Sequence, residues 1–229
     1  MRRRSWRGVA LRLALAAAAA SALPIAALRC VRPVTSSFML ERRFVAQGER
    51  SCSEIHYQWV PRRQISSELA IAVIAAEDQR FVEHRGFDLN SIDRALRERR
   101  GRGASTITQQ VAKNLFLWPG RSLVRKGLEA WLTVWIEALW PKQRILEVYL
   151  NVAQFGRCSF GAEAASESFF GKRAAALSAS EAALLAAALP NPFRLRVEAP
   201  SPHMRERAAR IEEQMRKLGG VGFVEAHGL

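Results

Sequence analysis

Two adjacent carboxylates, Glu77 and Asp78, close an apolar run and open the string Glu77-Asp78-Gln-Arg-Phe81-Val-Glu-His84-Arg-Gly86-Phe-Asp88. A carboxylate delivered by a helix of apolar and small residues loses hydration. Its pKa then rises toward the range that a general base needs near neutrality. The plainer reading is a pair of acids solvating a helix end. Against that, acids at a helix C-terminus oppose the macrodipole and cost stability unless something requires them there. His84 by itself reads as a hydrogen-bonded structural histidine fixing the loop of Gly86 and Asp88.

A second string, Gly103-Ala-Ser105-Thr106-Ile-Thr-Gln109-Gln110-Val-Ala-Lys113, follows a glycine-containing loop. Ser105 is expected as the N-cap of the helix that follows. Gln109 and Lys113 then share a side at i, i+4, and Thr106, Gln110 and Lys113 recur at i, i+4, i+7. Such a donor-rich helix start suits a phosphate or diphosphate, and equally suits plain solvent. The spacing of a nucleotide P-loop is absent. A third group, Arg121, Arg125, Lys126 and Glu129, is compatible with a clamp on a polyanionic leaving group. It is also compatible with a surface ladder worth under about 1 kcal/mol per pair. Each cluster alone is ambiguous.

The elements that must position these residues are helical. Ser66, Ser67 and Glu68 open an apolar helix running to Glu77. Ile107, Val111 and Leu115 recur at i, i+4, i+8, and Leu128, Trp131, Leu132, Trp135, Ile136 and Leu139 mark one face of a third helix broken by Pro141. Ser178 and Glu181 have capping-box spacing ahead of an Ala/Leu helix. Ser201, Pro202 and Gly219 frame a last helix with Ala208, Ile211, Met215 and Leu218 inward. No stretch alternates with period two for long, so the fold is expected to be mainly α.

The chain has 229 residues and a net charge of +14. Half of that excess lies in residues 1–32, where Arg2, Arg3, Arg4, Arg7, Arg12, Arg29 and Arg32 face no acid. They bracket an apolar run long enough to cross a bilayer as a helix. The distribution is topogenic, and it argues against nucleic acid as a partner. We read 1–8 as a cytoplasmic basic tail, 9–28 as a transmembrane anchor, 29–63 as a stalk, 64–219 as the catalytic domain and 220–229 as a tail. A cleaved signal peptide is the competing reading of the run. The positive-inside bias puts the N-terminus in the cytoplasm and everything after Leu28 outside. In that oxidising space Cys52 and Cys158 either pair or remain two thiols; the sequence leaves both open.

In order, the clusters resemble the motifs of the peptidoglycan glycosyltransferase family. Glu77-Asp78-x-x-Phe81-x-x-His84-x-Gly86-x-Asp88 resembles the first, Gly103 to Lys113 the second, and Arg125-Lys126-x-x-Glu129 the third. Lys142-x-x-Ile145-Leu146-Glu147-x-Tyr149-Leu150-Asn151 resembles the fourth, and Phe155-Gly156 through Phe169-Phe170-Gly-Lys172 the fifth. Phe169 departs from a frequent tyrosine, and Cys158 lies where the family rarely has cysteine. The likeness covers most of residues 45–216, and no penicillin-binding transpeptidase domain is expected after it. It implies a lysozyme-like large lobe and a smaller jaw lobe against the bilayer.

The same resemblance implies an activity. The growing polyprenyl-diphosphate-linked strand would be the donor, and lipid II the acceptor through its 4-hydroxyl, with inversion and release of undecaprenyl diphosphate. Glu77 is then the expected base and Glu129 the second essential carboxylate. Asp78, Phe81, His84, Ser105, Thr106, Gln109, Gln110, Lys113, Arg121, Arg125 and Lys126 are the expected substrate-binding set. No organic cofactor is expected; a divalent cation, Mg2+ or Mn2+, is one the family suggests. The bilayer is an expected partner, and the division or elongation machinery is where protein partners would be sought. The rival readings are a lytic glycan cleaver of lysozyme-like fold and an inactive membrane-tethered scaffold. A cleaver needs an acid for a sugar leaving group but no cluster of cations.

Overall fold

The structure is a computed structural model describing residues 2–45, 48, 52–91, 93, 105–120 and 122–229. Helix α1 (Arg2–Leu28) continues through the basic stretch into the apolar one, and its Gly8–Leu28 segment is long and apolar enough to cross a membrane. Its last turn is tied to the body. The indole N–H of Trp140 donates to the Ile25 carbonyl at 2.7 Å, and the Arg144 guanidinium donates to the Leu28 and Val31 carbonyls. A cation on the open carbonyls of a helix C-terminus is a favourable cap.

The segment read as a stalk is folded onto the protein. It carries α2 (Ser37–Phe44) and strand β1 (His56–Tyr57), which pairs in parallel with β2 (Ser159–Phe160). Cys52 and Cys158 form a disulfide beside this pair. The sheet is two residues per strand, so the protein is mainly α, as expected.

The core is built around α3 (Ser67–Glu77), in which Leu69 through Ala75 are all buried. A helix apolar on every side has to be surrounded. Here α8 (Ala179–Ala188), α9 (Pro202–Leu218) and α10 (Val221–Ala226) pack on it, and the alanines of α8 permit close approach. Both the capping box of Ser178 with Glu181 and the Ser201, Pro202 and Gly219 frame of α9 form as expected.

A second layer comprises α4 (Ile107–Phe116), α5 (Leu123–Leu139) and α6 (Lys142–Val152), with α7 (Ala162–Phe170) behind β2. The apolar stripe of α5 divides in two. Ile136 is buried and Leu132, Trp135 and Leu139 pack against the core, whereas Leu128 and Trp131 are exposed, together with Leu123, Val124 and Val134. Trp131 donates through its indole to Ser21 of α1, so this exposed face continues the surface of the apolar N-terminal helix.

Candidate active site

Helix α3 ends at Glu77, with Asp78 as its C-cap residue. The cost of two acids at that end has a structural answer. Asp78 Oδ2 accepts the backbone N–H of Ile107, the first residue of α4, at 3.0 Å, while Oδ1 lies 2.9 Å from His84 Nε2. An acid misplaced at one helix C-terminus is well placed at the next helix N-terminus. The N-cap of α4 is Thr106, correcting the expectation for Ser105. Thr106 forms a capping box with Gln109, and its hydroxyl donates to the Gly86 carbonyl at 2.7 Å. Gly86 has φ +85°, and a Cβ there would lie 2.6 Å from Thr133 Cγ2, so only glycine lets this loop approach α5. His84 therefore acts on the loop through Asp78.

Glu77 is turned the other way. Its side chain retains 15% exposure, enough to be reached and too little to be fully hydrated. Oε2 accepts from Gln110 Nε2 at 2.8 Å, and Oε1 lies 3.8 Å from an Arg207 guanidinium nitrogen. Burial pushes its pKa up, and the Gln110 hydrogen bond and the charges of Arg207 and Lys113 only partly oppose that. A carboxylate so placed is a stronger base than one in water. Behind it, the Tyr149 hydroxyl donates to Gln110 Oε1 at 3.1 Å.

The cations gather on α4 and the first turn of α5. Glu129, 2% exposed, accepts from Arg125 Nη1 at 2.8 Å and from Lys126 Nζ, and Lys126 also donates to Ser105 at 3.1 Å. Lys113 forms no ion pair among the described residues; its ammonium lies over the Phe38 ring at 5.4 Å. Burial lowers its pKa, opposed by Glu129. Arg121 lies outside the described residues.

A cleft of about 830 Å³ runs along this face. Gln110, Lys113 and Asn114 of α4 and Tyr149 of α6 line it, with Phe38 and Arg42 of α2 on one wall. The loop Leu189–Arg194 also borders it. Of the candidate residues, Gln110 and Lys113 line the cleft and Glu77 meets it through its hydrogen bond to Gln110, while Arg125, Lys126, Ser105 and Glu129 form the adjoining ionic cluster. Asp78, Thr106 and Gln109 are buried in bonds within the protein, and Phe81 is fully buried under the Lys142 ammonium, 4.6 Å from its ring. These four, with His84, form the frame behind the cleft.

Arg207, Phe38 and Arg42 were not among the candidates. Arg207 could have been found, because it lies at i+3 from Met204 and i−4 from Ile211, on the inward stripe of α9, where a charge needs a partner. The donor set does not fit a resident divalent cation: Glu129 is engaged by two cations, and among the described residues no three His, Cys, Asp or Glu side chains group as ligands.

Comparison with known proteins adds to this geometry. Residues 44–216 match the family described as Transglycosylase. The chain is similar to three proteins, each named biosynthetic peptidoglycan transglycosylase. It is 50% identical to one from Aeromonas hydrophila, covering 94% of this chain and 93% of that one. It is 53% identical to one from Klebsiella oxytoca, covering 96% and 93%. It is 55% identical to one from Shigella boydii, covering 89% and 87%.

Proposed function

The chain belongs to the transglycosylase family as a peptidoglycan transglycosylase, and on that premise we propose that it extends glycan strands by moving a polyprenyl-diphosphate-linked chain onto lipid II. The observation that carries this reading is the placement of Glu77: a part-buried carboxylate with a raised pKa, hydrogen-bonded to the cleft-lining Gln110, on the helix that also brings Lys113, a cation with no ion pair among the described residues, beside the Arg125, Lys126 and Glu129 cluster.

Glu77 takes the proton of the acceptor 4-hydroxyl as that oxygen attacks the donor anomeric carbon. The bond from that carbon to the diphosphate oxygen breaks on the opposite face, and the configuration inverts. A diphosphate leaves as a stable anion, so the catalytic demand is charge neutralisation rather than protonation. Lys113 meets it directly, being partly buried on the cleft wall and without a carboxylate in contact among the described residues. Arg125 and Lys126 add to the positive field, and Glu129 holds both in place. Arg121, four residues before Arg125 in the sequence, is the further cation expected in this set. A divalent cation would arrive on the diphosphate, and no step here depends on it. Asn114, Gln154 and Asn191 supply amide groups to the cleft for sugar hydroxyls.

Helix α1 anchors the protein in the inner membrane with the cleft on the periplasmic side, and the exposed apolar residues of α5 rest against the same bilayer. A prenylated substrate stays in that plane, so tethering confines the search to two dimensions. The test is the full chain in liposomes with labelled lipid II. A polymer that moenomycin blocks is expected. Cleavage of preformed strands without synthesis, or no product at all, would overturn the assignment.

A further inference from the structure

The two ends of the Gln110 amide are not equivalent, and each has a partner. Nε2 donates to Glu77, and Oε1 accepts from Tyr149. Turned over, the amide would set a carbonyl against a carboxylate, which is repulsive. Gln110 carries no feature of its own that prevents this turn. Tyr149 does: it is 1% exposed, fixed in α6 among core residues, and its hydroxyl donates to the carbonyl end. We propose that Tyr149 is a positioning residue for glycosyl transfer, locking Gln110 in the orientation that donates to Glu77 and thereby setting both the direction and the protonation of that carboxylate. The inference rests on the assignment of Glu77 as base.

Other groups do not duplicate this role. Arg207 of α9 faces Glu77 at 3.8 Å, and Lys113 of α4 and the neighbouring Asp78 act on it through charge alone, so Gln110 makes the hydrogen bond among the described residues. Burial, with the charges of Glu77 and Asp78, holds the Tyr149 phenol well above its ordinary value, so it remains a proton donor throughout the working range. A hydrogen bond to an ionised group favours the ionised form, so losing it raises the pKa of Glu77.

The experiment is a kcat and KM pH profile of the full chain in liposomes with lipid II, for wild type, Tyr149→Phe, Gln110→Ala, the double variant and Glu77→Gln. Tyr149→Phe keeps the ring and removes the hydroxyl. At neutral pH kcat is expected to fall about tenfold, the scale of the Gln110 hydrogen bond to the Glu77 carboxylate that this variant releases, with KM little changed. The acid limb of the profile moves to higher pH in both single variants, and the double variant is no slower than Gln110→Ala. An unmoved limb in Tyr149→Phe, or losses that multiply in the double variant, would overturn the positioning role. If Tyr149→Phe does not fold, the limb in Gln110→Ala decides alone: unmoved, it overturns the chain from Tyr149 to Glu77. The base assignment fails separately, by near-normal turnover in Glu77→Gln.

Discussion

Asp78 Oδ2 and the Ile107 backbone N–H, 3.0 Å apart, join the C-terminus of the core helix α3 to the N-terminus of α4. One carboxylate thereby fixes the angle between the helix that ends in Glu77 and the helix that carries Gln110 and Lys113. The neighbouring acids divide the work, one holding the scaffold while the other bonds to the cleft-lining Gln110.

Asp78→Asn is expected to lower the free energy of unfolding by about 1–2 kcal/mol, because it removes a buried charge from a helix N-terminus and from His84. Turnover should fall as well, through displacement of α4. Urea unfolding of the detergent-solubilised chain measures the first effect. A variant as stable as wild type would mean that the charge is not what joins the two helices.

The raised pKa of Glu77 has a definite sign in stability. Folding binds this proton more tightly than the unfolded chain does, so the contribution is most favourable below the unfolded carboxylate value and is lost as pH rises through the folded value. Turnover climbs across the same interval as the base ionises. Glu77→Gln should therefore be more stable than wild type at neutral pH, with the gap closing below about pH 4, while polymerisation falls by about 10²–10⁴-fold. Unfolding midpoints against pH for the two proteins provide the check.

Glu129 is held by Arg125 and Lys126, and Arg125 is itself 8% exposed. Removing the carboxylate charge leaves a buried guanidinium uncompensated, at a cost of about 3–5 kcal/mol. Glu129→Gln should lose both stability and turnover. Adding Arg125→Met should restore part of the stability and none of the turnover. Recovery of polymerisation in the double variant would show that the pair serves packing alone.

How far the sequence reached depended on where the determining forces lay. The Ser178 to Glu181 box and the Ser201 to Gly219 frame were legible because caps are local chemistry. The choice of Thr106 over Ser105 was not, since both are hydroxyls and the Gly86 carbonyl that receives Thr106 comes from another segment. The α5 periodicity marked apolar positions without saying which face the core and which lie outward beside α1. Ordered motifs brought Glu77, Lys113 and Glu129 into view, whereas Phe38 and Arg42 reach the cleft only through tertiary folding. Residues 29–63 looked like a stalk because their partners, among them Asn151 bound to both the N–H and the carbonyl of Val60, lie far along the chain.

Cys52 and Cys158 are 106 residues apart in sequence, and their bond holds together two walls of the cleft. On one side, the Cys52 N–H donates to the Arg42 carbonyl at the end of α2, whose Phe38 and Arg42 line the cleft. On the other, Cys158 precedes β2, and Phe160 and Gln154 line the same space. Closing so long a loop stabilises the folded state by about 2–4 kcal/mol. Dithiothreitol or Cys158→Ser should lower the unfolding midpoint accordingly. Because α2 also supplies the ring beneath Lys113, KM for lipid II should rise while the acid limb set by Glu77 stays in place. An unchanged KM in a reduced chain that remains folded would mean that α2 keeps its seat without the covalent tie, and that the bond contributes to stability alone.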